Sequence, residues 1–181
     1  MYNSDQTGLF YQKLPNVIYA NKNKNNNYKG VKHMKDKSII AAIICTAANG
    51  EKLPICIVGK PNKPACFILV PILPMPYTNQ YNAWFDRNVT MLWINNVFWP
   101  WDLKHCGDVT FIILIHNCTS YIMDLSQLPN NLNILFLPPN VTNLHQPTYI
   151  WMIAALKFGY NSLYIHSILL IFDKPGGFDE A

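Results

Sequence analysis

SIIAAIICTAANGEKLPICIV, residues 38–58, is the stretch whose reading decides the fold. Ser38 to Thr46 is a continuous β-prone run, Ala48-Asn49-Gly50 supplies residues that tolerate positive φ, and Lys52 to Val58 is a second β-prone run. Two such runs around a tight turn predict a β-hairpin. Pro54 has no N–H to give to a ladder, so the second strand is expected to meet an edge or a bulge.

Toward the C-terminus, Pro61 to Pro76 is punctuated by proline and reads as irregular. Asp86 is a candidate N-cap, and Val89, Leu92, Trp93, Val97 and Phe98 approximate helical spacing, predicting a helix that ends before Pro100. Val109 to Ile115 is apolar throughout, as expected of a central strand covered on both faces. Ile134 to Leu137 reads as a shorter strand closed by Pro138-Pro139-Asn140, and Thr148 to Ile171 as a helix weakened at Gly159 and Asn161. On the N-terminal side, Asn21 to Asn27 is a polar low-complexity run, so residues 12–37 are expected to form a long basic loop. The order of elements predicts an α/β fold, a mixed sheet flanked by helices, in one domain over 1–173 with a flexible tail at 174–181.

Half of the 181 residues are hydrophobic, enough for one core, while only 13% are charged. No apolar run approaches the ~18 residues that span a bilayer, so no membrane partner is expected. Met1 to Phe10 carries Asp5 and no basic stretch followed by an apolar one, which argues against a secretory signal and for a reducing compartment. In that setting Cys45, Cys56, Cys66, Cys106 and Cys118, an odd set without a CxxC pair, read as free thiols. His105, Cys106, His116 and Cys118 fit no familiar zinc-finger spacing, and the Asn-x-Thr sequons at Asn88, Asn117 and Asn140 read as chance products of an Asn-rich chain.

The net charge of +4 is unevenly spread. Ten lysines lie between Lys13 and Lys63 against Asp36 and Glu51, a local excess of +8, and the rest of the chain carries −4. Such a basic third can hold a phosphate backbone, with Lys22, Lys24, Lys29, Lys32, Lys35 and Lys37 as the contacts, although a solvated lysine-rich loop has the same composition.

Six stretches carry a resemblance: NSDQTGLFYQKLPN (3–16), GVKHMKDK (30–37), TAANGEKLPICIVGKPNKPACF (46–67), YTNQYNAWFD (77–86), ILIHNCTS (113–120) and NILFLPPNVTNLHQP (133–147). Together, and in this order, they resemble the DDE-type integrase domain of the pogo, Tigger and jerky group of transposases and their centromere-protein-B-like relatives. The resemblance implies a ribonuclease-H-like core that cuts and joins DNA with two Mg²⁺ or Mn²⁺ ions, a helix-turn-helix region upstream, and residence in the nucleus. It also implies three acidic metal ligands. Asp5 stands at the first position, within Asn3-Ser4-Asp5-Gln6-Thr7-Gly8. At the second, where an acid ends the central strand, this chain has His116 followed by Asn117; at the third, after Gln146-Pro147, it has Tyr149.

Histidine brings no negative charge and is a poor Mg²⁺ ligand, and a phenol of pKa near 10 is neutral at pH 7, so the three positions carry −1 instead of −3. Asp5 is left as the one acidic metal ligand, and the expectation is a degenerate, inactive site with no cofactor, in a domain that still binds DNA through its lysines, Asn117 and Gln146. Asp108 and Asp124 stand at no matching position, and His145 reads as a structural histidine. The alternatives are a protein-interaction scaffold with Trp84, Trp93, Trp99 and Trp101 as anchors, helix packing being the plainer role for those rings, and a decaying transposase remnant.

Overall fold

The computed structural model describes residues 1–11, 38–106, 110–116, 128–138 and 148–172. The expected basic loop at 12–37 and tail at 174–181 lie outside the described residues, as do Asp108, Asn117, Asp124, His145 and Gln146.

Six strands form one mixed sheet. The hairpin is β2 (Ile39–Ala47) and β3 (Cys56–Gly59), and Gly50 takes the positive φ of 91° that its turn requires. Between them Thr46 makes an isolated bridge to Lys52, and Pro54 falls where the ladder between the two strands is interrupted. The first strand, β1 (Tyr2–Phe10), pairs antiparallel with β2 along all nine of its residues. The short β4 (Tyr77–Asn79) lies parallel to β3, while β5 (Phe111–His116) lies parallel to β1 and β6 (Leu132–Leu137) parallel to β5. The order across the sheet is β4-β3-β2-β1-β5-β6. An antiparallel half containing β1 to β3, joined through β1 to two parallel strands, is the ribonuclease-H-like arrangement.

One face of the sheet is sealed by helices. Helix α1 (Arg87–Trp93) starts at Asp86, whose Oδ1 accepts from the Val89 amide at 2.9 Å, as the capping pattern predicts. The expected stop before Pro100 does not occur. Residues Ile94–Phe98 form a wide turn in which the Trp99 amide reaches back to the Ile94 carbonyl, and α2 (Trp99–Cys106) carries the helix on. Proline ends a helix because it lacks an N–H and crowds the preceding turn; here the preceding turn is already opened by one residue. The buried face of α1 runs through Val89, Thr90 and Trp93 to Ile94, so that Ile94 and not Leu92 is inside.

That inside is one apolar cluster: Tyr2, Ile43, Cys45 and Val58 from the sheet, Ile113 and Ile115 from β5, and Trp93, Ile94 and Phe98 from the helices. Tyr2 presents its ring edge-on to Phe98 and donates from its hydroxyl to the fully buried Asp102 at 2.5 Å. The tryptophans are correspondingly packing residues. Trp93 is buried, and the half-buried Trp99 and Trp101 pack edge-on against Phe111 and Tyr2; Trp84 alone of the four has an exposed ring. β5 corrects a second expectation, because Phe111, Ile113 and Ile115 are buried whereas Ile112 is exposed and Leu114 half-buried. Its apolar run is therefore sealed on one face only.

The chain returns to the sheet at Thr148–Ile153, a second wide turn that leads into α3 (Ala154–Phe172). Gly159 and Asn161 interrupt nothing.

Candidate functional site

Side chains alternate across a strand, so if Tyr2 faces the apolar cluster, Asn3, Asp5 and Thr7 face the other side of β1. Asp5 sits in the middle of this nine-residue strand, paired with Ile44, and is 2% exposed. Its Oδ1 accepts from the Gln6 amide at 2.8 Å. A carboxylate in mid-strand, buried between two neighbouring strands, is a placement that propensity disfavours.

The second position follows from register. β1 and β5 pair Tyr2 with Ile113, Asn3 with Leu114 and Ser4 with Ile115. Carried one residue further, that register sets Asp5 opposite His116 on the same face of the sheet. On its other side His116 pairs with Leu137 of β6. The His116 side chain lies outside what is described.

The third position is brought in by Thr148. Its amide donates to Asn3 Oδ1 at 3.2 Å, and its hydroxyl bonds the Asn3 carbonyl at 3.2 Å and the Asn3 side-chain oxygen. Thr46 of β2 lies 3.3 Å from the same hydroxyl, while the Asn3 amide nitrogen reaches the Leu114 carbonyl of β5 at 3.4 Å. Thr148 is fully buried, so this latch fixes the beginning of the last helical segment against β1, β2 and β5 together. Tyr149 is the next residue. The segments that carry Asp5, His116 and Thr148, which Tyr149 follows, thus meet around β1 from three distant parts of the chain. Beside the latch a shallow cleft of about 360 Å³ opens between Met1, Thr46, Lys52 and Trp151.

Two further features of the same strand were not singled out in the sequence. Asn3 opens the first motif stretch and Thr148 directly follows the last, but neither carries a signal of its own, since their pairing spans 145 positions. Gly8 closes the NSDQTG run, and a Cβ there would lie 2.6 Å from Ile39 Cδ1 and 3.0 Å from the Trp84 ring. Glycine at this position lets Trp84 lie across β1.

Among the described residues, no group of three or more His, Cys, Asp or Glu side chains could hold a metal ion. Cys66 is an exposed thiol, whereas Cys45 and Cys56 are buried. Burial pushes Cys56 up to about 11 and drives Cys45 higher still, partly offset by a hydrogen bond from Ser4. Neither is a nucleophile at neutral pH.

Residues 36–174 match the DDE superfamily endonuclease model. The chain belongs to that family. Among curated relatives it is 29% identical to the human Jerky protein homolog over 81% of this chain and 27% of that protein. It is 26% identical to human Tigger transposable element-derived protein 7, over 96% of this chain and 33% of the relative. With CENP-B homolog protein 2 of Schizosaccharomyces pombe it shares 27% identity over 93% of this chain and 33% of the relative. The chain therefore spans about a quarter to a third of the length of these proteins. No solved structure matches it.

Proposed function

We propose that this chain is a transposase-derived DNA-binding domain whose metal site no longer cleaves. The observation that carries the reading is the contrast between placement and chemistry. The β1–β5 register and the bonds of Thr148, the neighbour of Tyr149, to Asn3 support a common site for Asp5, His116 and Tyr149, of which only Asp5 is a carboxylate. Two-metal phosphoryl transfer requires anionic oxygens that offset the repulsion between two dications, and Mg²⁺ demands near-octahedral oxygen ligation. One carboxylate, an imidazole and a neutral phenol do not fit such a centre.

Binding does not depend on that chemistry. Losing two carboxylates removes repulsion toward phosphate, and the lysines of 12–37 add a sequence-independent attraction. Lys22, Lys24, Lys29, Lys32, Lys35 and Lys37, with Asn117 and Gln146, are the proposed contacts, and the nucleus is the proposed location. Duplex DNA binding by this chain should weaken steeply as salt rises, and no nicked product should form with Mg²⁺ or Mn²⁺. Salt-independent affinity would remove the binding half of the proposal, and metal-dependent nicking that disappears in Asp5→Asn would remove the other.

A further inference from the structure

The loop between β3 and β4, residues 60–76, turns large apolar side chains outward. Ile68 is 81% exposed, Leu69 91% and Ile72 84%, although these are residue types that folding ordinarily buries. The loop is braced. Pro61, Pro64, Pro71, Pro74 and Pro76 fix φ along it, and Tyr77 holds two of its points together. The Tyr77 hydroxyl donates to the Pro61 carbonyl at 2.6 Å, and its ring meets Phe67 edge-on with centroids 4.8 Å apart. A tight turn follows, in which the Ile68 amide donates to the Ala65 carbonyl at 3.2 Å and the Val70 amide to the Phe67 carbonyl at 3.1 Å. Ile68 and Leu69 therefore sit on a preorganised turn, and seating them in a ligand costs little further backbone ordering.

Charge along this part of the chain has one sign. From Lys52 to Phe85 there are Lys52, Lys60 and Lys63 and no acidic residue, and Lys60 and Lys63 are exposed. Because Pro61 and Phe67 meet the same tyrosine, the limb that carries the two lysines lies alongside the apolar turn.

Strand register fixes where the loop leaves the sheet. Val58 of β3 pairs with Ala41 of β2, and Ile39 of β2 pairs with Phe10 of β1, so β3 ends at the side of the sheet where β1 ends and β2 begins. Residues 12–37, whose lysines are the proposed phosphate contacts, join those two strand ends in the sequence. The Tyr77 phenol is raised by burial first and then by Cys66 and Tyr11, which agrees with the end of β1 lying at the foot of the loop.

We infer that this loop is a DNA wedge, with Ile68, Leu69 and Ile72 entering the minor groove to part a base step while Lys60 and Lys63 hold the flanking phosphates. The inference rests on the DNA binding proposed above and adds the place where the duplex is deformed. Apolar side chains inserted from the minor groove partly unstack a step and kink the duplex, and cations beside them offset that cost by holding the backbone. A protein surface carries charges of both signs, whereas a duplex offers anions outside and apolar stacked faces within. Exposed aliphatic side chains beside cations alone match the duplex.

A duplex of about 25 bp, with 2-aminopurine among its central bases and a dye at each end, tests the wedge with the 181-residue chain. Binding of the native chain should raise the 2-aminopurine fluorescence, as unstacking does, and shorten the distance between the dyes. The Leu69→Ser, Ile72→Ser variant should still bind with the same salt dependence, yet leave fluorescence and distance at their free-duplex values. Both side chains are exposed, so its circular dichroism should match the native chain's. Lys60→Gln, Lys63→Gln should lower the slope of log affinity against log salt by about 2, as two lost phosphate contacts require. A duplex that binds with neither a rise in fluorescence nor a shortening overturns the wedge and leaves DNA binding standing. So does a response that survives in the Leu69→Ser, Ile72→Ser variant; if that variant also sediments as a smaller species than the native chain, the loop is a protein contact instead. An unchanged salt slope in the lysine variant overturns the assignment of Lys60 and Lys63. Absence of any duplex binding overturns the wedge together with the DNA-binding reading.

Discussion

The two faces of the sheet are made from the same strands and differ in what each is built to do. On one, Tyr2, Ile43, Ile113 and Ile115 meet Trp93, Ile94 and Phe98 in a closed apolar layer. On the other, β1 presents Asn3, Asp5 and Thr7, and the contact that brings the last helical segment in is a group of hydrogen bonds around Thr148. The first face supplies stability through the burial of apolar surface. The second requires register, because Asp5 comes opposite His116 only if β1 and β5 are aligned to the residue. A one-residue slip would exchange the two faces. The sealed face thus backs a polar arrangement whose own bonds are few and local to Asn3, Thr46 and Thr148.

The largest test of this division is to excavate the sealed face. Phe98→Ala, at a fully buried ring, should cost about 3–5 kcal/mol in chemical denaturation. Asp5→Asn, equally buried but on the polar face, should change stability by less than about 1 kcal/mol, because Asn keeps the oxygen that accepts from Gln6 and removes a buried charge. Equal losses in the two variants would erase the distinction.

Of intermediate size is Thr148→Val. It preserves shape but deletes the hydroxyl shared by Asn3 and Thr46, and should cost about 1–3 kcal/mol while raising hydrogen exchange at the start of the last helical segment. Uniform loss of protection across β1 to β3 would mean that the latch supports the whole sheet. Tyr2→Phe is its counterpart on the sealed face, leaving Asp102 without the phenol's donated hydrogen bond, and a cost of the same ~1–3 kcal/mol is expected. Its effect should spread through the core and not stay local.

The smallest effect is a pH dependence confined to the sealed face. Folding raises the Cys56 thiol from 9.0 to about 11 and raises Cys45 further, so the neutral thiol is the form the native state favours. The associated stability is complete below the unfolded value and falls as pH climbs from about 9 toward 11, as the unfolded chain ionises first. In a Cys45→Ala, Cys56→Ala chain that alkaline slope should flatten; an unchanged slope would assign it to other groups. In the native fold, Cys66 should be modified by a thiol reagent at pH 8 well before either buried cysteine.

How much of this could be read in advance depended on range. The hairpin was legible because its turn chemistry and its two β-prone runs are contiguous, and the Asp86 cap because its partner is three residues away. The continuation through Pro100 was not legible, since a proline reads as a stop unless the preceding turn is known to be widened. β5 was read as covered on both faces because an apolar run shows no periodicity to say which face is open. The site divides in the same way. Asp5, His116 and Tyr149 are candidates from motif order, whereas the Asn3–Thr148 latch pairs two ordinary polar residues at opposite ends of the chain. Local physics leaves traces in a sequence window; side-chain pairs across a sheet do not.

The central claim is that the fold keeps the three positions together while the residues there have lost the ability to hold two metals. Calorimetric titration of Mn²⁺ and Mg²⁺ into the native chain and into the His116→Asp, Tyr149→Asp double variant addresses it most directly. The account predicts no specific binding to the native chain, none to either single variant, and recovered binding in the double variant that disappears when Asp5→Asn is added. Binding of two Mn²⁺ per native chain would contradict it.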